Sequence, residues 1–269
     1  EEQVKNDLAA ACITGGTVWR DIYGGGSLAS VGEQDETGND SDIHITDDPL
    51  TTNPYPYSSG LTRVYIHGTS DTPEIHGSVY GSGRGVASSN TEYRQAAYVK
   101  NTLVTVGKAH VYNNVFGGGN AGHVRRNTVV DILDQAKVDG NVYGGGAGSL
   151  ASPTAGLVNH DVTVNIKGGL IGKDVYGGGA LADTNCSNWD EDDYTEVTTL
   201  TAGESSVTGL YTLSGTTYTI IDTEAKAVDG TTYYSKGKWA DDSLTTAKYT
   251  TTVDLTGGLM GGVVYAIVT

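Results

Sequence analysis

The segment Asn141-Val142-Tyr143-Gly144-Gly145-Gly146 decides the fold, because five other segments of the chain repeat its pattern. In each segment an aromatic residue marks the register, an Ile or Val precedes it, and glycine usually follows it. The related segments are residues 21–26, 78–83, 114–119, 174–179 and a degenerate 263–266. Self-similarity of this kind is typical of solenoid proteins, in which each repeat forms one coil.

Apolar residues upstream of the aromatic residue keep the same register. One lies four residues before the Ile or Val of every segment, at Val18, Ile75, Val111, Val138, Ile171 and Met260. Three segments add an alternating pair further upstream, namely Val104 and Val106, Val164 and Ile166, and Val253 and Leu255. Alternating apolar residues point to one face of a strand, so each coil is predicted to contain two short strands with one buried face.

A single coil cannot bury such a face alone. Stacking coils at about 4.8 Å per rung places Val above Val and pairs the backbones of neighbouring rungs. The sequence therefore predicts an all-β protein, a parallel β-helix or β-solenoid of about six coils. We expect each Gly-Gly-Gly to supply positive-φ residues for a tight corner. The pairs Gly168-Gly169 and Gly257-Gly258 are expected to form another corner.

Loop and hairpin insertions account for the residues that exceed one coil. The three insertions are residues 27–60, 84–101 and 181–250. We expect one β-solenoid domain over residues 1–269, with residues 181–250 forming an inserted β-hairpin-rich subdomain. Hairpins are predicted at residues 211–218, around Ser-Gly, and at residues 228–234, around Asp-Gly. Residues 3–11 are the one candidate for a helix, which would cap the solenoid.

Composition and charge exclude several classes of protein. The formal net charge of −16 argues against a nucleic-acid partner, whose phosphates would be repelled. We expect no membrane span, since no apolar run approaches the roughly 18 residues that a spanning helix needs. The N-terminus lacks the layout of a signal peptide, so we expect a mature or trimmed chain. Cys12 and Cys186 lack metal or redox spacing and are predicted to be free thiols.

The repeats resemble those of a family of surface proteins. Residues 162–169, followed by residues 174–179, look like the repeats of adhesin-like, cell-surface β-helix proteins of gut-associated bacteria. The resemblance covers the larger part of the chain. It implies a right-handed parallel β-helix that is secreted or displayed at a cell surface and acts in attachment or assembly. It implies no catalytic residue, because the shared motif consists of core and corner positions.

The register aromatics are the most regular candidate for a binding surface. Since the neighbouring Val or Ile points inward, alternation predicts that these rings point outward and stack from rung to rung. The predicted ladder comprises Tyr23, Tyr80, Phe116, Tyr143 and Tyr176. Such a stripe of rings could bind glycan. We favour a structural ladder that braces the glycine corner, because Phe116 replaces Tyr in one coil without disturbing the pattern.

The third insertion is rich in aromatic residues and is the best place to look for a ligand. Exposed Trp and Tyr with polar neighbours often anchor glycan or protein partners, although a small hairpin subdomain also needs aromatics for its own core. The candidate ligand-binding residues are Trp189, Tyr194, Tyr233, Tyr234 and Trp239.

Acidic clusters in two insertions are candidates for calcium, the one cofactor that the sequence suggests. Calcium takes about six to eight oxygen ligands, and a loop dense in Asp and Asn can supply carboxylate and carbonyl oxygens. The candidate ligands are Asp40, Asp42, Asp190 and Asp192. Their spacing matches no known calcium loop, so we favour solvated charged loops. The six histidines are likewise interpreted as incidental surface or corner residues.

The sequence favours a non-enzymatic extracellular module. We expect an adhesin-like or structural protein that binds glycan or protein at a cell surface, or pairs end to end with other copies of itself. A polysaccharide lyase or hydrolase on a β-helix scaffold is the first alternative, although Arg84, Lys173 and Asp174 are the only conspicuous charges for it. A phage tail-spike or fibre segment is the second alternative.

Overall fold

The computed structural model describes residues 10–31, 61–87, 97–150, 152, 155–186, 194–215, 217–236 and 249–265. The chain divides into two compact units. The first contains residues 1–186 and 249–269 and forms the solenoid, and the second contains residues 187–248 and is called the insertion unit.

Three parallel sheets of six strands form the solenoid. Sheet one contains β1 (Ala10–Ile13), β4 (Leu61–Ile66), β7 (Asn101–Val106), β10 (Thr128–Ile132), β13 (Val162–Ile166) and β20 (Thr251–Leu255). Sheet two contains β2 (Thr17–Val18), β5 (Glu74–Ile75), β8 (Ala109–Val111), β11 (Ala136–Val138), β14 (Leu170–Ile171) and β21 (Leu259–Met260). Sheet three contains β3 (Ile22–Tyr23), β6 (Val79–Tyr80), β9 (Val115–Phe116), β12 (Val142–Tyr143), β15 (Val175–Tyr176) and β22 (Val264–Tyr265).

Each coil contributes one strand to each sheet, and the coils are numbered one to six along the chain. This arrangement confirms the prediction of an all-β parallel β-solenoid with six coils. The prediction of two strands per coil is wrong, because each coil has three. Val111 and Val115 lie on different strands, β8 and β9, since residues 112–114 turn the chain between sheets two and three.

The core consists of columns of Val and Ile that run along the solenoid. In sheet one, Val104, Val130 and Val164 are direct partners on successive coils, and each is fully buried. Sheets two and three add parallel columns, so the three sheets enclose one continuous apolar core. This stacking explains why the same apolar positions recur in every repeat.

The glycine triplets form their corner for a reason other than the expected one. No residue of the four Gly-Gly-Gly triplets has a positive φ, so that prediction is wrong. A Cβ atom on Gly117 would instead overlap the carbonyl oxygen of Gly144 on the next coil, and Gly81 has the same relationship to Gly117. Glycine is required because successive backbones approach too closely for a side chain.

The other glycine corner is confirmed. Gly169 and Gly258 have φ angles of 81° and 88°, a region that L-residues with side chains rarely adopt. Gly16 and Gln135 occupy the same corner in coils one and four, also with positive φ.

Asn and Asp side chains form hydrogen bonds between successive coils along a column that we call the corner ladder. The column lies two residues before the register aromatic. Asn114 Oδ1 accepts a hydrogen bond from the Asn141 N–H at 2.8 Å, and Asn141 Oδ1 accepts one from the Asp174 N–H at 3.0 Å. Asp174 Oδ1 accepts from the Val263 N–H at 2.8 Å. Each bond satisfies a backbone donor that the short strands leave unpaired at the corner.

The insertion unit contains an antiparallel sheet in the order β16-β19-β17-β18. Its strands are β16 (Tyr194–Glu196), β17 (Tyr211–Ser214), β18 (Thr217–Ile220) and β19 (Tyr234–Lys236). The hairpin predicted at residues 211–218 is confirmed, since β17 pairs with β18. The hairpin predicted at residues 228–234 is wrong: the turn forms, but β19 pairs with β16 and β17. The residues before that turn bond elsewhere, as in the Ala227 N–H to Ser205 oxygen bond of 2.9 Å.

The helix proposed at residues 3–11 does not extend to its end, because Ala10 and Ala11 lie in β1. Residues 3–9 lie outside the described residues. In the described part of the chain, no helix is long and apolar enough to cross a membrane.

Candidate functional site

The register aromatics stack along the whole solenoid and form what we call the tyrosine ladder. It comprises Tyr23, Tyr80, Phe116, Tyr143, Tyr176 and Tyr265. Neighbouring ring centroids lie 4.7–5.0 Å apart, and the ring planes differ by 3–7°. Because each internal ring is covered on both faces by its neighbours, a sugar cannot stack on it. This geometry suits bracing of the glycine corner better than glycan binding.

The phenol groups of the tyrosine ladder are tied to the corner ladder. Tyr176 donates a hydrogen bond to Asp174 Oδ2 at 3.0 Å, and Asn141 Nδ2 donates one to the Tyr143 oxygen at 3.1 Å. The bond to Asp174, together with burial and the negative charge of that carboxylate, raises the pKa of Tyr176 to about 12. Burial raises the pKa of Tyr80 to about 12 as well. These phenols therefore stay protonated at neutral pH.

A second stack of rings, called the mixed ring column, lies at the corner between sheets two and three. Trp19 stacks on His76 with centroids 4.4 Å apart, and His76 stacks on Tyr112 at 4.4 Å. Tyr112 also stacks on His110 at 3.8 Å. Trp19 is 74% exposed at the first-coil end of the column. The imidazole of His76 is thus held between an indole and a phenol ring.

Charged groups flank the mixed ring column. Asp139 Oδ2 lies 2.7 Å from His110 Nε2, and Asp139 Oδ1 lies 3.2 Å from Lys137 Nζ. Partial burial acts to raise the pKa of Asp139, but the hydrogen bonds from His110 and Lys137 outweigh it and lower that pKa. The Asp139 side chain is 39% exposed. The pair fixes the orientation of the His110 imidazole, whose side chain is 16% exposed.

Sequence reasoning missed the mixed ring column, because it interpreted His76 and His110 as incidental. A signal was present in the repeat. Trp19, His76, Tyr112 and Asp139 each lie four residues before a register aromatic. Their different side chains hid a shared position that only the stacking of coils brings together.

The aromatic residues proposed as ligand anchors have different roles in the insertion unit. Tyr233 is 5% exposed, packs in a core with Val207 and Ala227, and accepts a hydrogen bond from the Val228 N–H at 3.0 Å. Tyr234 is half-buried and meets Tyr218 edge-on at 5.1 Å. The backbone of Tyr194 lies in β16. Trp189 and Trp239 lie outside the described residues.

The insertion unit contains an open cavity of about 270 Å³, which we call the slot. Its walls come from two segments, residues 196–203 and 227–233, and the second segment turns at Asp229 and Gly230. Backbone hydrogen bonds join them at both ends, from the Val197 N–H to the Tyr233 oxygen at 2.9 Å and from the Gly203 N–H to the Ala227 oxygen at 2.8 Å. The lining combines apolar with polar side chains, among them Leu200, Ala202, Val228, Thr198, Thr232 and Asp229.

The slot was not foreseen from the sequence, although Tyr233, one of the proposed anchors, lines it. Its two walls are far apart in the chain and share no motif. Its volume is at the lower limit of ligand pockets, which commonly enclose about 300–1,000 Å³. A single sugar unit is therefore a better match for it than a long polymer.

The candidate calcium ligands are carboxylates of the first and third insertions. Asp40, Asp42, Asp190 and Asp192 all lie outside the described residues. Among the residues that the structure does describe, no group of three or more His, Cys, Asp and Glu could hold a metal ion.

The remaining charged and thiol candidates lie as follows in the fold. Asp174, considered for catalysis, instead accepts hydrogen bonds from the Val263 N–H and from Tyr176. Arg84 forms backbone bridges with Ser27 and Ala121. Cys12 and Cys186 are free thiols, and burial raises the pKa of Cys186 to about 12, so it is a poor nucleophile.

Comparison with known proteins identifies no relative of this chain. No protein-family model, no curated protein and no solved structure matches the chain. The functional interpretation therefore depends on the geometry of the two units.

Proposed function

We propose that this chain is a non-enzymatic module of a secreted or surface-displayed adhesin-like protein that binds glycan through its insertion unit. The observation that carries the proposal is the slot. Its two walls are joined by backbone hydrogen bonds, and the cavity lies between them. In this proposal the solenoid is the scaffold that presents the insertion unit.

The lining of the slot suits a sugar. Leu200 and Val228 offer apolar contact for the C–H groups of a pyranose ring, while Thr198, Thr232 and Asp229 offer hydroxyl and carboxylate groups for its hydroxyls. Binding sites for small ligands typically combine apolar walls with a few polar groups in this way.

The solenoid has the features of a rigid scaffold. Its three sheets are continuous over six coils, and the corner ladder and the tyrosine ladder add bonds and ring contacts between coils. Each coil is thereby fixed to its neighbours at several points around its circumference. Such a structure keeps its shape under load because deformation would break many contacts at once.

A glycan array followed by calorimetry on the strongest ligand tests the proposal. Thr232→Trp fills the slot from an exposed wall position, and we expect it to abolish binding. Thr219→Trp is the matched control, since Thr219 is exposed on β18 and does not line the slot.

The outcomes separate the alternatives. Loss of binding in the Thr232→Trp variant alone supports the proposal. Equal binding by both variants, or no binding to any glycan, would overturn it. Shortening of a polysaccharide by the wild-type protein would replace it with the enzyme alternative.

A further inference from the structure

The sheet of the insertion unit has one aromatic face and one polar face. Tyr211 on β17 lies directly opposite Ile220 on β18 and Tyr234 on β19. Opposed residues of an antiparallel pair point to the same face, as do alternate residues of one strand. One face, which we call the aromatic face, therefore comprises Tyr211, Leu213, Tyr218, Ile220 and Tyr234. The reverse face includes Thr212, Thr219 and Ser235.

The ring contacts and the exposure of the side chains agree with this assignment. The rings of Tyr218 and Tyr234 meet edge-on at 5.1 Å although β17 separates their strands, so both rings project from the same face. Leu213 and Ile220 are 40% and 49% exposed, and Tyr211 is half-buried. The aromatic face is therefore partly open to solvent.

The core of the insertion unit lies on the other side of the sheet. In the described part of the unit, the core cluster comprises Val207, Ala227 and Tyr233, with Leu200, Leu210, Ile221 and Ala225 packed against it. Leu210 and Ile221 continue the pairing of β17 with β18, since the Ile221 N–H donates to the Leu210 oxygen at 2.8 Å. Each adjoins a residue of the aromatic face in sequence, and adjacent residues of a strand point to opposite faces. The aromatic face is therefore a second apolar surface, separate from the core.

A row of residues leads from the slot across the aromatic face. Glu196 lines the slot and lies directly opposite Tyr234, because β16 pairs with β19. Tyr234 lies opposite Tyr211, and Tyr211 lies opposite Ile220. These residues form what we call the cross-strand row, which crosses all four strands of the sheet and spans about 14 Å at the usual strand spacing. One end of the row thus belongs to the slot.

We propose that the cross-strand row is a second part of the glycan site and binds further sugar units of a chain whose end unit occupies the slot. The inference rests on the function proposed for the slot. It identifies the ligand as an oligosaccharide rather than a single sugar. Because Glu196 belongs both to the slot and to the row, the same ligand can contact both without a gap.

The side chains of the cross-strand row suit a sugar chain. A tyrosine offers an apolar ring for the C–H groups of a pyranose and a phenol group that can hydrogen-bond to its hydroxyls. Tyr234 and Tyr211 offer two such side chains in succession, and Ile220 adds an exposed apolar contact. The exposed Glu196 places a carboxylate, which accepts hydrogen bonds from hydroxyl groups, at the junction with the slot. The row thus repeats the combination of apolar and polar groups that lines the slot.

Calorimetry with β1,4-linked oligomers of glucose and of N-acetylglucosamine, each from one to four units, tests the inference. We expect the affinity of the wild type to rise about tenfold or more from one unit to four, because each ring contact adds binding free energy. Tyr211→Ser should remove most of this rise without changing the affinity for one unit. Tyr211→Phe keeps the ring and should retain the rise.

Ile220→Ser is a second variant, made at an exposed position where the change should not affect folding. It should lower the affinity for the longer oligomers only. Thr219→Ser is the matched control, because Thr219 is exposed on the same strand but lies on the reverse face, and it should bind like the wild type. Circular dichroism of each variant establishes that it is folded.

The outcomes separate this inference from the proposal for the slot. Equal wild-type affinity for one unit and for four, or a rise with length that survives both Tyr211→Ser and Ile220→Ser, would overturn the inference, while binding of one unit would still support the slot. No binding of any oligomer would overturn the inference as well, and the glycan array then decides the slot proposal alone. Self-association of the wild type that Ile220→Ser abolishes, measured by sedimentation velocity, would assign the aromatic face to a second copy instead.

Discussion

The imidazole of His110 and the carboxylate of Asp139 join two neighbouring coils through a hydrogen bond of 2.7 Å. The bond lies at the end of the mixed ring column, where Tyr112 covers one face of the His110 ring. Lys137 reaches the other oxygen of the same carboxylate at 3.2 Å. The turn between sheets two and three thus has contacts between coils in addition to the hydrogen bonds of the corner ladder.

Asp139→Asn should reduce stability in a pH-dependent way. The pKa of Asp139 is lowered in the folded protein, so its carboxylate stabilises the fold above the unfolded value of about 3.9. This contribution is lost as the pH falls through the lower, folded pKa. Because the side chain is well exposed, we expect at most about 1 kcal/mol at pH 7. Urea unfolding of wild type and variant at neutral and acidic pH measures the difference.

The control for this change is Asp254→Asn, since Asp254 is exposed on β20. We expect its effect to be smaller at pH 7. A stability difference for Asp139→Asn that stays constant down to pH 3 would show that the charge of the carboxylate does not matter.

Gly117→Ala should destabilise the solenoid strongly. The new Cβ would overlap the carbonyl oxygen of Gly144, and that oxygen belongs to the backbone of the next coil. Overpacking of this kind typically costs about 1–3 kcal/mol, and a backbone that cannot shift places this site at the upper end. Urea unfolding measures the loss. Gly15→Ala is the control, because a Cβ there would come no closer than 3.8 Å to its neighbours and should be nearly neutral.

The fold could be predicted because its signal is periodic. An aromatic residue after Ile or Val recurs in every coil, and each occurrence must face the same neighbours, so Tyr143 and Tyr176 are equivalent in sequence and in space. The number of strands per coil could not be predicted. A two-residue strand such as β12 is too short to show the alternation that identifies a strand in a sequence.

The sequence also could not show why glycine is required at each corner position. Gly117 and Gly169 look alike in a repeat, yet one avoids a collision with the next coil and the other adopts a positive φ. Only the backbone geometry at each position shows which of the two causes applies. The slot could not be predicted from the sequence either, because Leu200 and Val228 line the same cavity only through the fold of the insertion unit.

Asn141→Ala should loosen the junction between coils four and five. The change removes the acceptor of the Asp174 N–H and the donor to the Tyr143 oxygen. A backbone donor left unpaired at a half-buried corner costs about 1–3 kcal/mol. We expect an intermediate loss in urea unfolding and faster hydrogen exchange at the Asp174 amide.

Asn141→Asp is the matched variant for this position. It keeps an acceptor oxygen, as Asp174 does towards the Val263 N–H, so it should retain most of the stability and the protection of the amide. Equal losses for Ala and Asp would show that the corner ladder bond contributes little.

Alkaline pH should destabilise the fold through the tyrosine ladder. The pKa values of Tyr80 and Tyr176 are raised to about 12 in the folded protein, whereas a phenol of the unfolded chain ionises near pH 10. For a raised pKa, the stabilisation is complete below the unfolded value and is lost as the pH rises through the folded value. Urea unfolding midpoints should therefore fall between about pH 10 and 12. Phenolate absorbance should show a late-titrating fraction that Tyr176→Phe reduces, and a single transition near pH 10 for all tyrosines would contradict the assignment.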